Sequence, residues 1–411
     1  MNIESLYLLS QRLISVLDRT FKRYFIQNYS LDSQLSLILG ARGVGKTTTL
    51  IQYMKRFTSD IFSQKILYIQ ADHVAIQALS LYEIAQEFDS NGGELLCIDE
   101  IHKAKDWTRD LKSIYDTFPD LRVIASGSSA IELEKGAFDL SRRALVYNMV
   151  GLSLREYLNI TMGLTLNVIS FDDIINKHQQ ISVQIIQELK TVNEKILPSF
   201  QRYLKIGYFP FFIKYPVIEE YQMILEQGIN TILESDIPAI HPQLTGQSSK
   251  KMKQLLAYIA SSVPYTPDLK KLKQLVDIGD ERTLKQYLRY LEESNLIQTL
   301  TTSGAGMKQM EKPEKIYLGN TNFAFAIQDE RTINIGTIRE TFFMNMVSMH
   351  STLKYSNIGD FFVDPKYLFE VGGKNKTYKQ IKDILNSYIA MDDIESGINN
   401  KIPLWLFGFL Y

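Results

Sequence analysis

Gly40-Ala41-Arg42-Gly43-Val44-Gly45-Lys46-Thr47 is the stretch that decides the fold of this chain. It has the spacing Gly-x-x-x-x-Gly-Lys-Thr. Immediately before it, Leu35-Ser36-Leu37-Ile38-Leu39 reads as a short buried strand, and Thr47 to Phe57 after it carries helix formers and no breaker. Glycines between a strand and a helix let the backbone turn its N–H groups inward around an anion. The helix starting near Lys46 aims its positive end at the same point. Lys46 then supplies an ammonium to the β- and γ-phosphates. Thr47, followed by Thr48, supplies a hydroxyl to a Mg²⁺ shell. The expected cofactors are ATP and Mg²⁺.

Working outward, Ile66-Leu67-Tyr68-Ile69, Leu95-Leu96-Cys97-Ile98 and Val123-Ile124-Ala125 are continuous apolar runs with helical stretches between them. Such runs suit strands buried on both faces, and their alternation with helices predicts a parallel sheet in an α/β core. The second run ends in Asp99-Glu100, which places two carboxylates at the sheet edge where ligands sit in open α/β folds. Asp99 is expected on the Mg²⁺ shell and Glu100 as general base toward an attacking water. The third run ends in Ser126-Gly127-Ser128-Ser129. There Ser126 or Ser128 would bond the γ-phosphate or the water, unless the serines simply cap the next helix. Arg142-Arg143 would stabilise transition-state charge, unless they are a solvated surface pair.

The 411 residues are too many for one core. A hydrophobic content of 45%, a charged content of 22% and a net charge of −1 are ordinary for a globular chain, so any basic surface must be local. One cysteine, Cys97, allows no internal disulfide and fits a reducing cytoplasm. Met1 to Arg23 lacks the apolar segment of a signal peptide, and no apolar run is long enough to span a bilayer. The expectation is a cytoplasmic protein without a membrane partner. Residues 3–29 read as an amphipathic helix with Leu6, Leu9, Leu13, Leu17, Phe21 and Phe25 near one face. From about Leu154 to Pro238 the pattern is helical. Strand-like runs return at Lys315 to Leu318, Tyr367 to Val371 and Pro403 to Tyr411.

Taken together, Gly40 to Thr47, Ile98-Asp99-Glu100-Ile101-His102-Lys103, Ser126-Gly127-Ser128-Ser129, Asp139-Leu140-Ser141-Arg142-Arg143 and Gly151-Leu152-Ser153-Leu154-Arg155-Glu156-Tyr157-Leu158 resemble the prokaryotic AAA+-like ATPases. The group in question carries a C-terminal domain of unknown function related to PD-(D/E)XK nucleases. Tyr203-Leu204-Lys205-Ile206-Gly207-Tyr208-Phe209-Pro210 and Ile232-Leu233-Glu234-Ser235-Asp236-Ile237 are similar to its helical segment. The phosphate loop is generic to many NTPases. The Arg-Glu-Tyr-Leu and Gly-x-x-Pro elements are more specific. The resemblance implies a Walker B pair in Asp99 and Glu100, a γ-phosphate sensor at or near Ser128, and an arginine finger in Arg142 or Arg143. Such a finger acts on a neighbouring subunit, so a homo-oligomer is implied as well. The expected domains are an ATPase core at 1–155, a helical lid at 156–242, a winged helix-turn-helix at 243–318 and a small α+β nuclease-like domain at 319–411.

The winged-helix expectation has its own residues. Met252, Leu255, Leu256 and Ile259 have helical spacing, Asp268 to Leu275 forms a second helix behind Pro267, and Asp280 to Leu291 forms a third. Leu296 to Leu300 and Lys315 to Leu318 then flank a polar stretch like the strands of a wing. The third helix would present Arg282, Thr283, Lys285, Gln286 and Arg289 outward, residue types that suit a groove and phosphates of duplex DNA. Lys250, Lys251, Lys253, Lys270, Lys271 and Lys273 make the module locally basic. In the last segment, Glu340, Asp360 and Glu370 take the places of the nuclease acids. Lysine is expected two residues after the last acid, but Gly372 stands there, and Lys374 or Lys376 would have to fold back. The nuclease site is therefore expected to be degenerate. Three readings remain open: an ATPase whose nucleotide state controls a DNA-binding module, an ATP-dependent DNA nuclease, and a nucleotide-gated protein-interaction switch.

Overall fold

The computed structural model describes residues 3–17, 21–76, 79–127, 140, 142–262, 268–302 and 313–411. They fall into two compact units, Met1–Gly151 and Leu152–Tyr411.

The first unit is built on five strands: β1 Leu35–Leu39, β2 Ile66–Gln70, β3 Leu95–Asp99, β4 Arg122–Gly127 and β5 Leu145–Asn148. All are parallel and run in the order β2-β3-β4-β1-β5. Every position of β1 and β3 is buried, which explains their unbroken apolar sequences. Helices Lys46–Phe57, Leu81–Ser90 and Trp107–Thr117 lie between the strands in the chain. The expected α/β parallel-sheet core is therefore present. Because β4 pairs with both β1 and β3, the carboxyl ends of these three strands stand side by side.

The amphipathic start of the chain is two helices, Ile3–Leu17 and Tyr24–Asn28, where the periodicity predicts one. Arg23 is extended at φ −71° and ψ 151°. Its buried guanidinium donates to the carbonyl of Val44, to Val150 O at 2.8 Å and to Gly151 O at 2.9 Å. A buried guanidinium must be satisfied, and the helical period does not reveal that demand.

The second unit opens with helices Leu154–Met162, Phe171–Thr191, Ile196–Ile206 and Ile218–Thr231. The boundary expected at 155 falls inside the first of these. Ser153 caps that helix with Glu156 in a reciprocal box, while Ser153 Oγ and Arg155 Nε both donate to Tyr411 O, at 2.7 and 2.9 Å. The Tyr203-to-Pro210 stretch is held by Asn322, which is fully buried. Its amide donates to Tyr203 O and Leu204 O, and its carbonyl accepts from Tyr208 N and the Tyr221 hydroxyl at 2.6 Å. Both donors and both acceptor positions of this amide are used.

Helices Gly246–Ser261, Leu269–Leu275 and Glu281–Glu293 come next in the chain, then an antiparallel ribbon of β6 Ile297–Leu300 and β7 Lys315–Leu318. The last part places helix Ile335–Val347 against a mixed sheet of β8 Leu353–Tyr355, β9 Phe361–Val363, β10 Tyr367–Gly372, β11 Ser387–Met391 and β12 Lys401–Pro403, in the order β12-β11-β10-β9-β8. The strand expected over Pro403 to Tyr411 stops at Pro403, and Leu404–Phe409 is a 3₁₀ helix. All six of its residues are buried, and a run buried on every side has no period to separate strand from helix.

Candidate functional site

The phosphate loop sits at the end of β1, as its spacing predicts. Gly43 and Gly45 have φ of 85° and 99°, a left-handed conformation that favours glycine. Gly40 is required for a different reason. A Cβ there would lie 2.2 Å from Met149 O, the carbonyl just past β5. Val44 is buried and anchors the loop, while Arg42 and Gly43 are exposed at its lip. Thr48 is half-buried in the first turn of the following helix.

Lys46 is buried, and its Nζ donates to Gly40 O at 2.9 Å and Ala41 O at 3.0 Å. Burial pulls its pKa down to about 8, against the charges of Glu100 and Asp99, which raise it. An ammonium held by loop carbonyls marks a place built for an anion. The protonated form is the one that binds phosphate, and phosphate raises its pKa again. ATP affinity is therefore expected to be flat below pH 8 and to fall up to about tenfold per pH unit above it. Titrations of fluorescent ATP at pH 7, 8 and 9 measure this, and a flat profile contradicts it.

Asp99 is the hub. Its Oδ2 accepts from Thr47 Oγ1 at 2.5 Å and from the Tyr68 hydroxyl at 2.9 Å. Its Oδ1 accepts from Ser126 Oγ and from the Glu100 backbone N–H at 3.2 Å. Residues on β2, β3 and β4 thus meet the phosphate loop at one carboxylate. Glu100 is left-handed at φ 52°, unusual for a residue with a side chain. Its Oε2 lies 3.5 Å from His102 Nε2. Burial, then the charges of Lys103, Lys46 and Arg42, lower the His102 pKa to about 3, so this imidazole is neutral beside Glu100.

Thr47 and Asp99 offer the hard oxygen donors that suit Mg²⁺. Among the described residues, no group of three or more His, Cys, Asp or Glu could hold a metal by itself. The phosphates would have to complete such a shell. Ser128 lies outside the described residues, and Ser126 is the serine that reaches Asp99. The two arginines differ. Arg143 is bound in a fork to Asp116 at 2.8 and 3.0 Å, whereas Arg142 is exposed. Tyr68, His102 and Arg23 were missed by sequence reasoning. Two of them look like core residues in the sequence, and Arg23 looks like a surface charge.

In the second unit, the helix Glu281–Glu293 is capped by Asp280 and exposes Arg282, Gln286 and Arg289. Its charges are partly answered within the helix: Lys285 pairs with Glu281 at 3.0 Å, Arg289 with Glu293 at 2.6 Å, and Gln286 bonds the Tyr290 hydroxyl at 2.5 Å. Pairs of this kind contribute about 0.3–0.5 kcal/mol and yield to a stronger anion. Pro267 lies outside the described residues.

The three acids of the last segment do converge, but onto lysines. Lys315 Nζ lies 3.1 Å from Glu340 and 3.0 Å from Asp360, and the Tyr317 hydroxyl donates to Glu340 at 2.9 Å. Glu370 is bound by Lys376, while Lys374 is exposed. Of the two lysines considered from the sequence, Lys376 is the one that folds back. Gly372 makes this possible, since a Cβ there would come within 2.8–2.9 Å of the Lys376 side chain. Burial raises the Glu340 pKa, with Asp360 adding to the rise and Lys315 opposing it.

A parallel sheet with a phosphate loop after its first strand and an acid pair at the end of its third fits a P-loop ATPase core. Residues 32–158 match the AAA domain family, and residues 197–332 match a domain of unknown function, DUF8612. An uncharacterized protein of Methanocaldococcus jannaschii is 26% identical over 290 residues, which are 69% of this chain and 60% of that protein. The match thus spans less than two thirds of its relative's length. Among solved structures, the chain is similar to a Walker-type ATPase of Pyrococcus abyssi, with 12% identity, a TM-score of 0.41, and coverage of 77% of this chain and 94% of that one. It is also similar to AMPPCP-bound DnaA from Aquifex aeolicus, with 14% identity, a TM-score of 0.24, and coverage of 69% and 88%. Among the described residues, no helix is long and apolar enough to cross a membrane.

Proposed function

We propose that this chain hydrolyses ATP with Mg²⁺ and that its nucleotide state controls a DNA-binding winged helix. The observation that carries the hydrolytic half is the Asp99 carboxylate, which gathers Thr47, Tyr68, Ser126 and the Glu100 amide at the mouth of the phosphate loop. The loop N–H groups and Lys46 bind the phosphates. Thr47 donates its hydroxyl hydrogen bond to Asp99 and keeps a lone pair for the metal. Magnesium, when bound, would be held by Thr47 and Asp99 together with the phosphates and would supply positive charge against the charge of the triphosphate. Glu100 accepts the proton of the water that attacks the γ-phosphorus, and neutral His102 steers its carboxylate. ADP and phosphate leave. Arg142, exposed while Arg143 is committed to Asp116, is the finger toward a second copy. A rise in mass when ATP is added tests that step.

The DNA half is supported by three helices leading into an antiparallel ribbon, with Arg282, Lys270, Lys271 and Lys250 exposed on the same segment. Reversing Arg282, Lys285 and Arg289 to glutamate is expected to weaken duplex binding and lower the slope of log affinity against log salt by about 2 to 3. Unchanged affinity and slope contradict DNA as the partner. They would favour a protein partner, a reading that the pairing of Lys285 and Arg289 within their own helix supports. Cleavage of DNA is not part of the proposal, because Lys315 and Lys376 hold the three acids.

A further inference from the structure

We propose that Tyr68 is a positioning residue for Asp99 and sets the affinity for the magnesium complex of the nucleotide. The inference rests on the hydrolytic reading above. Tyr68 lies on β2, beside β3 in parallel register with Cys97, two positions before the Gln70–Asp99 pair. It is completely buried, and its hydroxyl ends on Asp99 Oδ2 at 2.9 Å. A buried phenol needs an acceptor, and a core tyrosine satisfies that need with any nearby carbonyl. This one uses the carboxylate that would face the metal.

An ionised carboxylate has about four acceptor positions. Here Oδ1 takes Ser126 and the Glu100 amide, and Oδ2 takes Thr47 and Tyr68. Four donors from four chain positions fix the plane of the carboxylate. Of these four, Thr47 is the one that also serves the metal. Its hydroxyl must keep donating to Oδ2 while its lone pair turns outward, so Oδ2 needs a second donor that does not move. Tyr68 is that donor, clamped in a strand whose first four residues are all buried. Removing its hydroxyl frees the carboxylate to rotate and leaves Thr47 as the sole donor to Oδ2.

The test is Tyr68→Phe, which keeps the ring and its packing. Fluorescent ATP is titrated into the wild-type and variant full chains, once with excess Mg²⁺ and once with EDTA. Mn²⁺ binding in the presence of ADP is monitored by electron paramagnetic resonance. The expected result is metal-free nucleotide affinity within about twofold of wild type, together with a loss of about tenfold in the affinity gained from Mg²⁺ and in Mn²⁺ affinity. An equal Mg²⁺-dependent gain in both chains overturns the proposal. A parallel loss with and without metal, accompanied by a lower melting temperature, also overturns it, because Tyr68 would then be structural. If the wild-type chain binds no nucleotide in either condition, the hydrolytic reading itself fails.

Discussion

Glu100→Gln is expected to bind ATP as tightly as the wild-type chain and to release phosphate about 10²- to 10⁴-fold more slowly. The amide keeps the shape of the carboxylate and stays beside His102, 3.5 Å away in the wild-type geometry. Lys46 donates to Gly40 O and Ala41 O and Thr47 to Asp99. The Glu100 charge acts on them by raising the Lys46 pKa, so the affinities are compared well below pH 8. What the variant loses is the lone pair that takes the proton of the attacking water. The prediction is therefore a split, with affinity preserved and turnover removed. Fluorescent ATP titration beside a phosphate-release assay reads both. A turnover within a fewfold of wild type would show that Glu100 is not the base and that its left-handed backbone, at φ 52°, has another origin.

The second large effect is on stability. Lys315→Met is expected to destabilise the second unit by about 3–5 kcal/mol at neutral pH, because removing one partner of a buried ionic cluster leaves the others uncompensated. Lys315, Glu340 and Asp360 have side chains 11%, 9% and 16% exposed, so solvent screens them little. Without the ammonium, two carboxylates face each other. Glu340 already has a raised pKa through burial and Asp360, and the substitution raises it further. A carboxyl group whose folded pKa lies above its unfolded value costs no stability while protonated and destabilises as pH rises through the usual carboxylate range. The deficit should therefore be smaller at pH 5 than at pH 7.5. Chemical unfolding at pH 5 and 7.5 measures it, and Lys315→Arg, which keeps the charge, should lose less. Equal stability of the methionine variant at both pH values contradicts the account.

The legible and illegible parts of this molecule divide along a physical line. Gly40 to Thr47 could be read because a phosphate loop needs its glycines, lysine and hydroxyl at fixed local spacing, between a strand and a helix that are themselves local patterns. Asp99 and Glu100 could be read because they end an apolar run. Tyr68 could not, since an aromatic residue in a buried strand reads as core until the neighbouring strand brings a carboxylate to its hydroxyl. Lys315 reads only as the first residue of a strand-like run. Its partners lie 25 and 45 positions away in the chain, and only the fold brings them together. Arg23 was hidden for the same reason, with Val150 and Gly151 lying 127 and 128 positions away. In the acid cluster, Gly372 was visible as a departure, but its purpose, to let Lys376 pass, is a matter of space that no spacing rule encodes.

The central claim is that the Gly40-to-Thr47 loop binds ATP for hydrolysis. Steady-state phosphate release from ATP with Mg²⁺, measured for the wild-type chain beside Lys46→Ala, tests it most directly. The account predicts sustained turnover by the wild-type chain and release at background level by the variant, whereas equal rates for the two would contradict it.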